Sequence, residues 1–272
     1  MTELLGEHLA RAILARLKEE KIPDHYLAIV VVAPDPTTES FIRQKKKVAE
    51  ELGVDFRLYK FPEESTQDEL RKEVGKIAAH KNCGGVIIQL PLPPHINRHY
   101  VLNVIPREKD VDVLGERALG AFYANRNPIL PPALGTVIAL TETVRVKFEE
   151  IKMAVIGSGL LIGRPIALWA SSHVKEMAVF GKSTTDLNQK LKHYDLIVSG
   201  AGSPRLFSAK DCSSGAMVID FGYGKKGEEL EGDFDSRGHE VIPGVYTPTP
   251  GGTGPILVAK LFENFYRLSS PR

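Results

Sequence analysis

A series of short, uninterrupted apolar runs, separated by helical stretches, constrains the fold of this chain more than any other feature. Leu27–Ala33 (LAIVVVA) and Gly85–Leu90 (GVIIQL) lack the alternation of a half-exposed strand, so each reads as a strand buried on both faces. Val54–Phe61 reads as a further strand between them. Helical patterns fill the gaps: Phe41–Leu52, stopping at Gly53, and Gln67–His80. An earlier helix repeats Leu4, Leu5, Leu9, Ile13, Leu14 and Leu17 at helical steps until Ile22-Pro23-Asp24 breaks it. This rhythm predicts a parallel sheet covered by helices on both faces. Ligands of such sheets bind beyond the carboxyl ends of the strands, so the positions after Val32 and Ile88 are singled out.

A second region repeats the pattern. Lys152–Ile156 runs directly into a glycine-rich turn, and Ala178–Phe180, Leu196–Ser199 and Met217–Asp220 follow as short apolar strands. Between the regions, Pro91–Gly135 is rich in Pro, Asp and Asn and reads as ordered loops that build a site. Thr136–Val146 reads as the helix leading into the second region, and Leu257–Tyr266 as an amphipathic helix closing the chain. The expected fold is therefore two α/β domains with parallel sheets, the second a Rossmann-type dinucleotide-binding domain.

Composition narrows the class. In 272 residues, 35 Lys+Arg against 34 Asp+Glu leave a formal charge of +1, without the basic excess of a nucleic-acid binder. No apolar run reaches the roughly 18 residues a membrane helix needs. Two cysteines, Cys83 and Cys212, make no disulfide framework and favour a reducing compartment. Glu3 and Glu7 interrupt what would be a signal-peptide core. The expectation is a cytoplasmic enzyme, with no nucleic acid or membrane as partner and no metal, since no ligand cluster shows metal spacing.

The turn Gly157-Ser158-Gly159-Leu160-Leu161-Ile162-Gly163, before Arg164 and Pro165, lies between a strand and a helix. Small residues there let the backbone approach a pyrophosphate, and the helix start offers unpaired N–H groups. Its spacing is one residue longer than the usual fingerprint, and a plain tight turn is the alternative. After the next strand, Lys182, Ser183 and Thr184 supply a cation and two hydroxyls where an acid would favour NAD; this suits a phosphate and points to NADP, with NAD or a solvated turn as the alternatives.

Lys45 belongs to Lys45-Lys46-Lys47, and three successive residues cannot share a helix face, so one should turn toward the sheet. A desolvated lysine has a lowered pKa and becomes usable as an acid or base; a solvated basic run is the alternative. Gln89 ends a buried strand before Pro91, as a core amide or a ligand-orienting group. Asp110 and Asp112 would project to one side if their segment is extended, either to a ligand or to cap a turn. Pro250-Gly251-Gly252-Thr253-Gly254-Pro255 is a side-chain-poor loop whose backbone could press against a flat ring.

Taken in order, DP-x4-F-I-x2-K-x-K (Asp35–Lys47), GVIIQLPLPPHI (Gly85–Ile96), P-x2-KDVD (Pro106–Asp112), GSGLLIGRP, GAMVIDFG (Gly215–Gly222), GDFD (Gly232–Asp235) and PTPGGTGP (Pro248–Pro255) resemble one family. It is the bifunctional methylenetetrahydrofolate dehydrogenase/methenyltetrahydrofolate cyclohydrolase family of one-carbon metabolism, and the likeness runs from Leu4 to Tyr266. The resemblance implies NADP-dependent oxidation of 5,10-methylenetetrahydrofolate to the methenyl form and hydrolysis of that form to 10-formyltetrahydrofolate. It implies a folate-binding domain over residues 1–135, completed by a C-terminal helix over 255–272, an NAD(P)-binding domain over 136–254, and a homodimer. Lys45 matches the catalytic lysine, Gln89 the glutamine that orients it, and Asp112 the aspartate that binds the pterin. Phe41, Leu90, Pro91, Pro250, Gly251, Gly252, Gly254 and Pro255 are implied in folate binding, and Gly200 and Thr253 join the cofactor contacts. Departures are Phe41 for Tyr, Ser158 for Arg, Leu130–Gly135 for a Pro-Cys-Thr-Pro-x-Gly segment, Val113 for Gly, and Ile256-Leu257 for Met-Thr. Phe41 leaves open a dehydrogenase with weakened hydrolysis, and a non-catalytic folate- or nucleotide-binding protein is the further alternative. A shikimate-type dehydrogenase would lack QLPLP and PGGTGP.

Overall fold

A computed structural model describes residues 1–226, 229–237 and 244–269. The chain begins β1 (Thr2–Glu3), α1 (Gly6–Glu19), β2 (Tyr26–Val32), α2 (Pro36–Leu52), β3 (Phe56–Phe61), α3 (Gln67–Ala79) and β4 (Cys83–Ile88). Three helices follow, α4 (Arg98–Leu102), α5 (Glu116–Tyr123) and α6 (Pro132–Thr143). Then come β5 (Lys152–Ile156), α7 (Gly163–Ala170), β6 (Glu176–Phe180), α8 (Leu187–Lys190), β7 (Leu196–Ser199), β8 (Phe207–Ser208) and β9 (Met217–Asp220). The chain closes with β10 (Gly224–Lys226), β11 (Glu229–Glu231), β12 (Phe234–Asp235), β13 (Val245–Tyr246) and α9 (Thr253–Ser269).

Contacts divide the chain into two compact units: Ala12–Pro132 with the chain from Val258 onward, and Met1–Arg11 with Ala133–Leu257. In the first, β2 lies between β3 and β4, all parallel. β2 and β4 are buried at every residue, as unbroken apolar runs require, while β3 has no fully buried residue. α2 starts at Pro36 because Asp35 caps it, accepting from the Thr38 N–H at 2.6 Å, with Pro36 in the first turn. The helix therefore begins a turn earlier than the apolar pattern from Phe41 indicates. α3 carries a reciprocal capping box between Thr66 and Glu69. On α9, Phe262, Phe265 and Tyr266 are buried. Val258 onward groups with this sheet, close to the expected completion by residues 255–272, of which 270–272 lie outside the described residues.

The second unit holds a parallel sheet of order β1-β13-β9-β7-β5-β6. β5 has β6 on one side and β7 on the other, so the winding reverses there and leaves a crevice at the carboxyl ends of these strands. Its core includes Ile156, Ile197, Phe207, Val218, Phe234 and Tyr246. Two expectations are corrected. Residues 1–11 group with this unit rather than with the first sheet, because β1 adds to its edge beside β13, with Thr2 opposite Val245. The Pro-rich middle is also not all loop: α4 is capped by Asn97, and α5 runs Glu116–Tyr123. Among the described residues no helix is long and apolar enough to cross a membrane.

Candidate active site

In the unit built on β3-β2-β4, α2 turns Lys45 inward, and it is buried while Lys46 and Lys47 are exposed. Its Nζ donates to Gln89 Oε1 at 2.7 Å. Gln89 directly follows β4; its own N–H continues the ladder to Val30 O, and its Nε2 donates to Leu90 O at 3.0 Å. The amide is thereby held with its carbonyl oxygen toward the lysine. Burial pushes the Lys45 pKa down, opposed by the nearby Asp112 carboxylate. Burial likewise pushes Asp112 up, opposed by Lys45. The two charges stabilise each other where water cannot. Phe41 lies one helical turn before Lys45 on α2, and Leu90–Pro91 continues from Gln89 through a cis peptide bond.

The segment holding Asp110 and Asp112 is not extended. A 3₁₀ turn over Arg107–Lys109 precedes it, and Val113 takes a left-handed φ of 58°. Asp110 consequently caps the backbone, accepting from Leu114 N–H at 3.0 Å and Gly115 N–H at 2.8 Å, and its burial raises its pKa to about 6. Asp112 alone lies in the field of Lys45. Both readings of the pair hold, one for each aspartate. A residue the sequence did not single out supports this segment: Asn264 of α9 is buried and donates to Val111 O and Leu130 O, both at 2.9 Å. Its signal was an amide on the apolar stripe of that helix, three residues after Leu261 and beside Phe265.

The other unit carries the glycine turn. Gly157 has φ 90°, which admits no ordinary side chain, and its N–H bonds Phe180 O at 2.8 Å. A side chain on Gly163 would overlap Gly157 O, so the start of α7 presses directly on the strand end. Gly159 is different, because no atom lies within 4 Å of where its Cβ would stand. The fold requires the outer two glycines, and the middle one leaves open space where a backbone-hugging pyrophosphate fits. Leu160 and Pro165 are buried, and Ile162 packs on Gly200, so these residues form walls. Ser158, Arg164, Lys182 and Ser183 are exposed around the turn. Arg164 Nε donates to Ser158 O at 3.0 Å, and Thr184 Oγ1 accepts from the Gly181 N–H at 3.0 Å, so the Thr184 hydroxyl closes its own loop.

Pro250–Pro255 belongs to this second unit. Gly252 sits against Pro248 O, and the Gly6 N–H donates to Gly251 O at 3.0 Å, so packing accounts for part of the glycine content. Gly251 has φ 98°, and nothing surrounds the Cβ position of either Gly251 or Gly254. The Thr253 side chain is already engaged, donating to Asp220 O at 3.0 Å.

A desolvated lysine–amide–carboxylate cluster in one α/β unit, and a glycine turn at the switch point of a parallel sheet in the other, define a dinucleotide-dependent enzyme of two units. Residues 3–112 match the profile of the tetrahydrofolate dehydrogenase/cyclohydrolase catalytic domain, and residues 131–271 that of its NAD(P)-binding domain. The chain belongs to that family. It is 30% identical over 278 residues to the bifunctional protein FolD of Lacticaseibacillus casei, covering 100% of this chain and 98% of the relative. It is 32% identical to the FolD of Halothermothrix orenii, covering 95% and 94%. The solved structure of the bifunctional methylenetetrahydrofolate dehydrogenase/cyclohydrolase FolD from Campylobacter jejuni superposes with TM-score 0.93 at 28% identity, covering 99% of this chain and 98% of that one. That of Trypanosoma brucei FolD, complexed with NADP and an inhibitor, gives 0.92 at 27%, covering 98% and 97%.

Proposed function

We propose that this protein oxidises 5,10-methylenetetrahydrofolate to 5,10-methenyltetrahydrofolate with NADP and hydrolyses the product to 10-formyltetrahydrofolate. The observation that carries the reading is the buried Lys45 Nζ on Gln89 Oε1, in the field of Asp112. Folate is assigned to the unit of Ala12–Pro132 with the chain from Val258 onward, and the nucleotide to that of Met1–Arg11 with Ala133–Leu257. The turn shaped by Gly157 and Gly163 would hold the pyrophosphate at its open Gly159, and Lys182 the 2′-phosphate, a task left to it because position 158 is a serine. Bound NADP supplies the hydride acceptor for the one-carbon bridge.

The remaining chemistry belongs to this chain's side chains. Asp112 accepts N–H groups of the pterin and orients it. Water adds to the methenyl carbon, the proton it loses passes to Lys45 Nζ, and the C–N5 bond breaks as N5 takes a proton. Lys45 suits this transfer because burial lowers its pKa, so more of it is neutral near pH 7 than of a solvated lysine. Gln89 fixes Nζ through one hydrogen bond and leaves its other donor positions free to follow the reaction. We further read the protein as a cytoplasmic homodimer, on the family likeness alone.

The test is to supply methylenetetrahydrofolate with NADP or NAD and identify the products chromatographically. Reduced NADP together with 10-formyltetrahydrofolate is the expected result; no reduced nucleotide with either cofactor contradicts the reading. Phe41 supports one variation, a dehydrogenase with slow hydrolysis, since it places a ring without a hydroxyl one turn from Lys45. In that case methenyltetrahydrofolate accumulates and Phe41→Tyr speeds its removal.

A further inference from the structure

Two carboxylates with no role in the chemistry above are buried at the crevice end of the six-stranded sheet. Asp220 ends β9 and Asp233 lies between β11 and β12; they are 1% and 0% exposed. Asp233 accepts three hydrogen bonds from the segment leaving β7: Ser199 Oγ at 2.6 Å, the Ala201 N–H at 2.8 Å and the Ser203 N–H at 2.6 Å. Asp220 accepts from the Gly222 N–H at 2.6 Å and the Phe234 N–H at 2.8 Å. It also takes a backbone hydrogen bond from Asp233 itself, so one carboxylate seats the residue that carries the other. Around Asp220, Thr247 Oγ1 accepts from its N–H at 2.8 Å and Thr253 Oγ1 donates to its carbonyl at 3.0 Å. Two glycines make room for the pair: a side chain on Gly222 would overlap the Asp233 carboxyl, and one on Gly232 would overlap the Asp220 carboxyl.

Burying two carboxylates costs far more than a loop turn needs, since serine or asparagine caps such turns from the surface. The arrangement is explained if the course of residues 200–203 must be held rigid. That segment leaves β7 beside β5, at the switch point where the nucleotide is assigned, and Gly202 and Ser203 are exposed. Asp233 also takes up two amides, of Ala201 and Ser203, that would otherwise attract a phosphate, and it places negative charge behind them. A loop so backed is a poor phosphate cradle and a good wall for a ring that is neutral or cationic, whereas the glycine turn and Lys182 favour phosphate. We propose that Asp233, seated by Asp220, is the positioning residue that shapes the β7 loop to receive the phosphate-free, nicotinamide–ribose end of the dinucleotide. This rests on the nucleotide assignment made above and adds to it which residue builds that wall.

The experiment compares wild type, Asp233→Asn and Ser199→Ala, the last removing one donor to Asp233 and nothing else. NADP affinity is measured by calorimetric titration, kcat and KM for NADP are measured separately, and amide hydrogen exchange is followed at Ala201 and Ser203. Replacing the carboxylate by an amide leaves one of its oxygens unable to accept, so NADP binding should weaken by about ten- to a hundred-fold. Ser199→Ala should weaken it by about three-fold. In both variants KM should rise with kcat little changed, and exchange at Ala201 and Ser203 should accelerate. Wild-type-like NADP affinity in either folded variant would overturn the proposal while leaving the nucleotide assignment intact. A wild type that binds no NADP overturns both. If Asp233→Asn does not fold, Ser199→Ala decides alone, and faster exchange with unaltered affinity also counts against the inference, since it would make the carboxylate a matter of stability only.

Discussion

In the unit built on β3-β2-β4 the candidate chemistry rests on side chains that found partners, Lys45 on Gln89 with Asp112 beside them. In the unit built on the six-stranded sheet it rests on side chains that are missing, at Gly157, Gly159 and Gly163. The first kind of site is damaged by removing atoms, and the damage appears in rate. The second is damaged by adding atoms, and the damage appears in stability or nucleotide affinity according to which glycine is filled. The contrast extends to the carboxylates. Asp112 faces a cation, while Asp110, Asp220 and Asp233 face only backbone and hydroxyl donors and serve to fix loops.

The sharpest way to break the contrast is to fill the glycines one at a time. Gly163→Ala places a methyl group against Gly157 O, where backbone meets backbone and neither can give way. It should destabilise the protein by about 3 kcal/mol in denaturant melts and abolish NADP binding. Gly159→Ala meets nothing, so stability should stay within about 0.5 kcal/mol while NADP affinity falls about ten-fold. If the two variants behave alike, the distinction between structural and ligand-facing glycines is wrong. Asn264→Ala leaves the buried Val111 carbonyl and the partly buried Leu130 carbonyl without their donor and should cost about 2 kcal/mol, with a raised KM for folate through the segment that aims Asp112. An unchanged KM would show that Asp112 is held without α9.

Asp220 sharpens the comparison through pH. Burial raises its pKa from 3.8 to about 7, so the folded state holds this proton more tightly than the unfolded chain. Its contribution to stability is therefore greatest at low pH, declines as pH rises from about 4 to about 7, and is level above that. Melting curves at pH 5 and pH 8 should show wild type losing a few degrees more than Asp220→Asn over that interval. Equal losses would remove the buried-acid account. The smallest effect concerns Val113, fully buried at φ 58°. Both Val113→Ala and Val113→Gly lose packing, but only glycine relieves the left-handed backbone. The glycine variant should be the more stable of the two by about 1 kcal/mol, the reverse of the order in ordinary strands and helices.

Much of the fold is legible in the sequence because unbroken runs such as Leu27–Ala33 can be satisfied only between layers of helices. The glycine turn is legible because Gly157 and Gly163 answer to local geometry, and Lys45 because three lysines in a row cannot all reach solvent from one face. Other features depend on partners far along the chain. The two-residue β1 has no periodicity to read, so its place beside β13 is invisible beforehand. Asp110 and Asp112 separate only once the turn at Val113 is known. Thr184 and Thr253 look like ligand hydroxyls until Gly181 N–H and Asp220 O are seen to use them. Asp220 and Asp233 stood in the motifs GAMVIDFG and GDFD without a role, since a carboxylate that holds a loop and one that holds a ligand have the same spelling.

The central claim is that hydrolytic chemistry is carried by the Lys45 cluster and nucleotide binding by the other unit. It is tested most directly by giving methenyltetrahydrofolate without nucleotide to wild type and to Lys45→Met, and titrating the same two preparations with NADP. Hydrolysis should fall at least about a hundred-fold in the variant. NADP affinity should stay within about two-fold of wild type. A Lys45→Met protein that still hydrolyses at the wild-type rate, or that loses NADP and hydrolysis together, would contradict it.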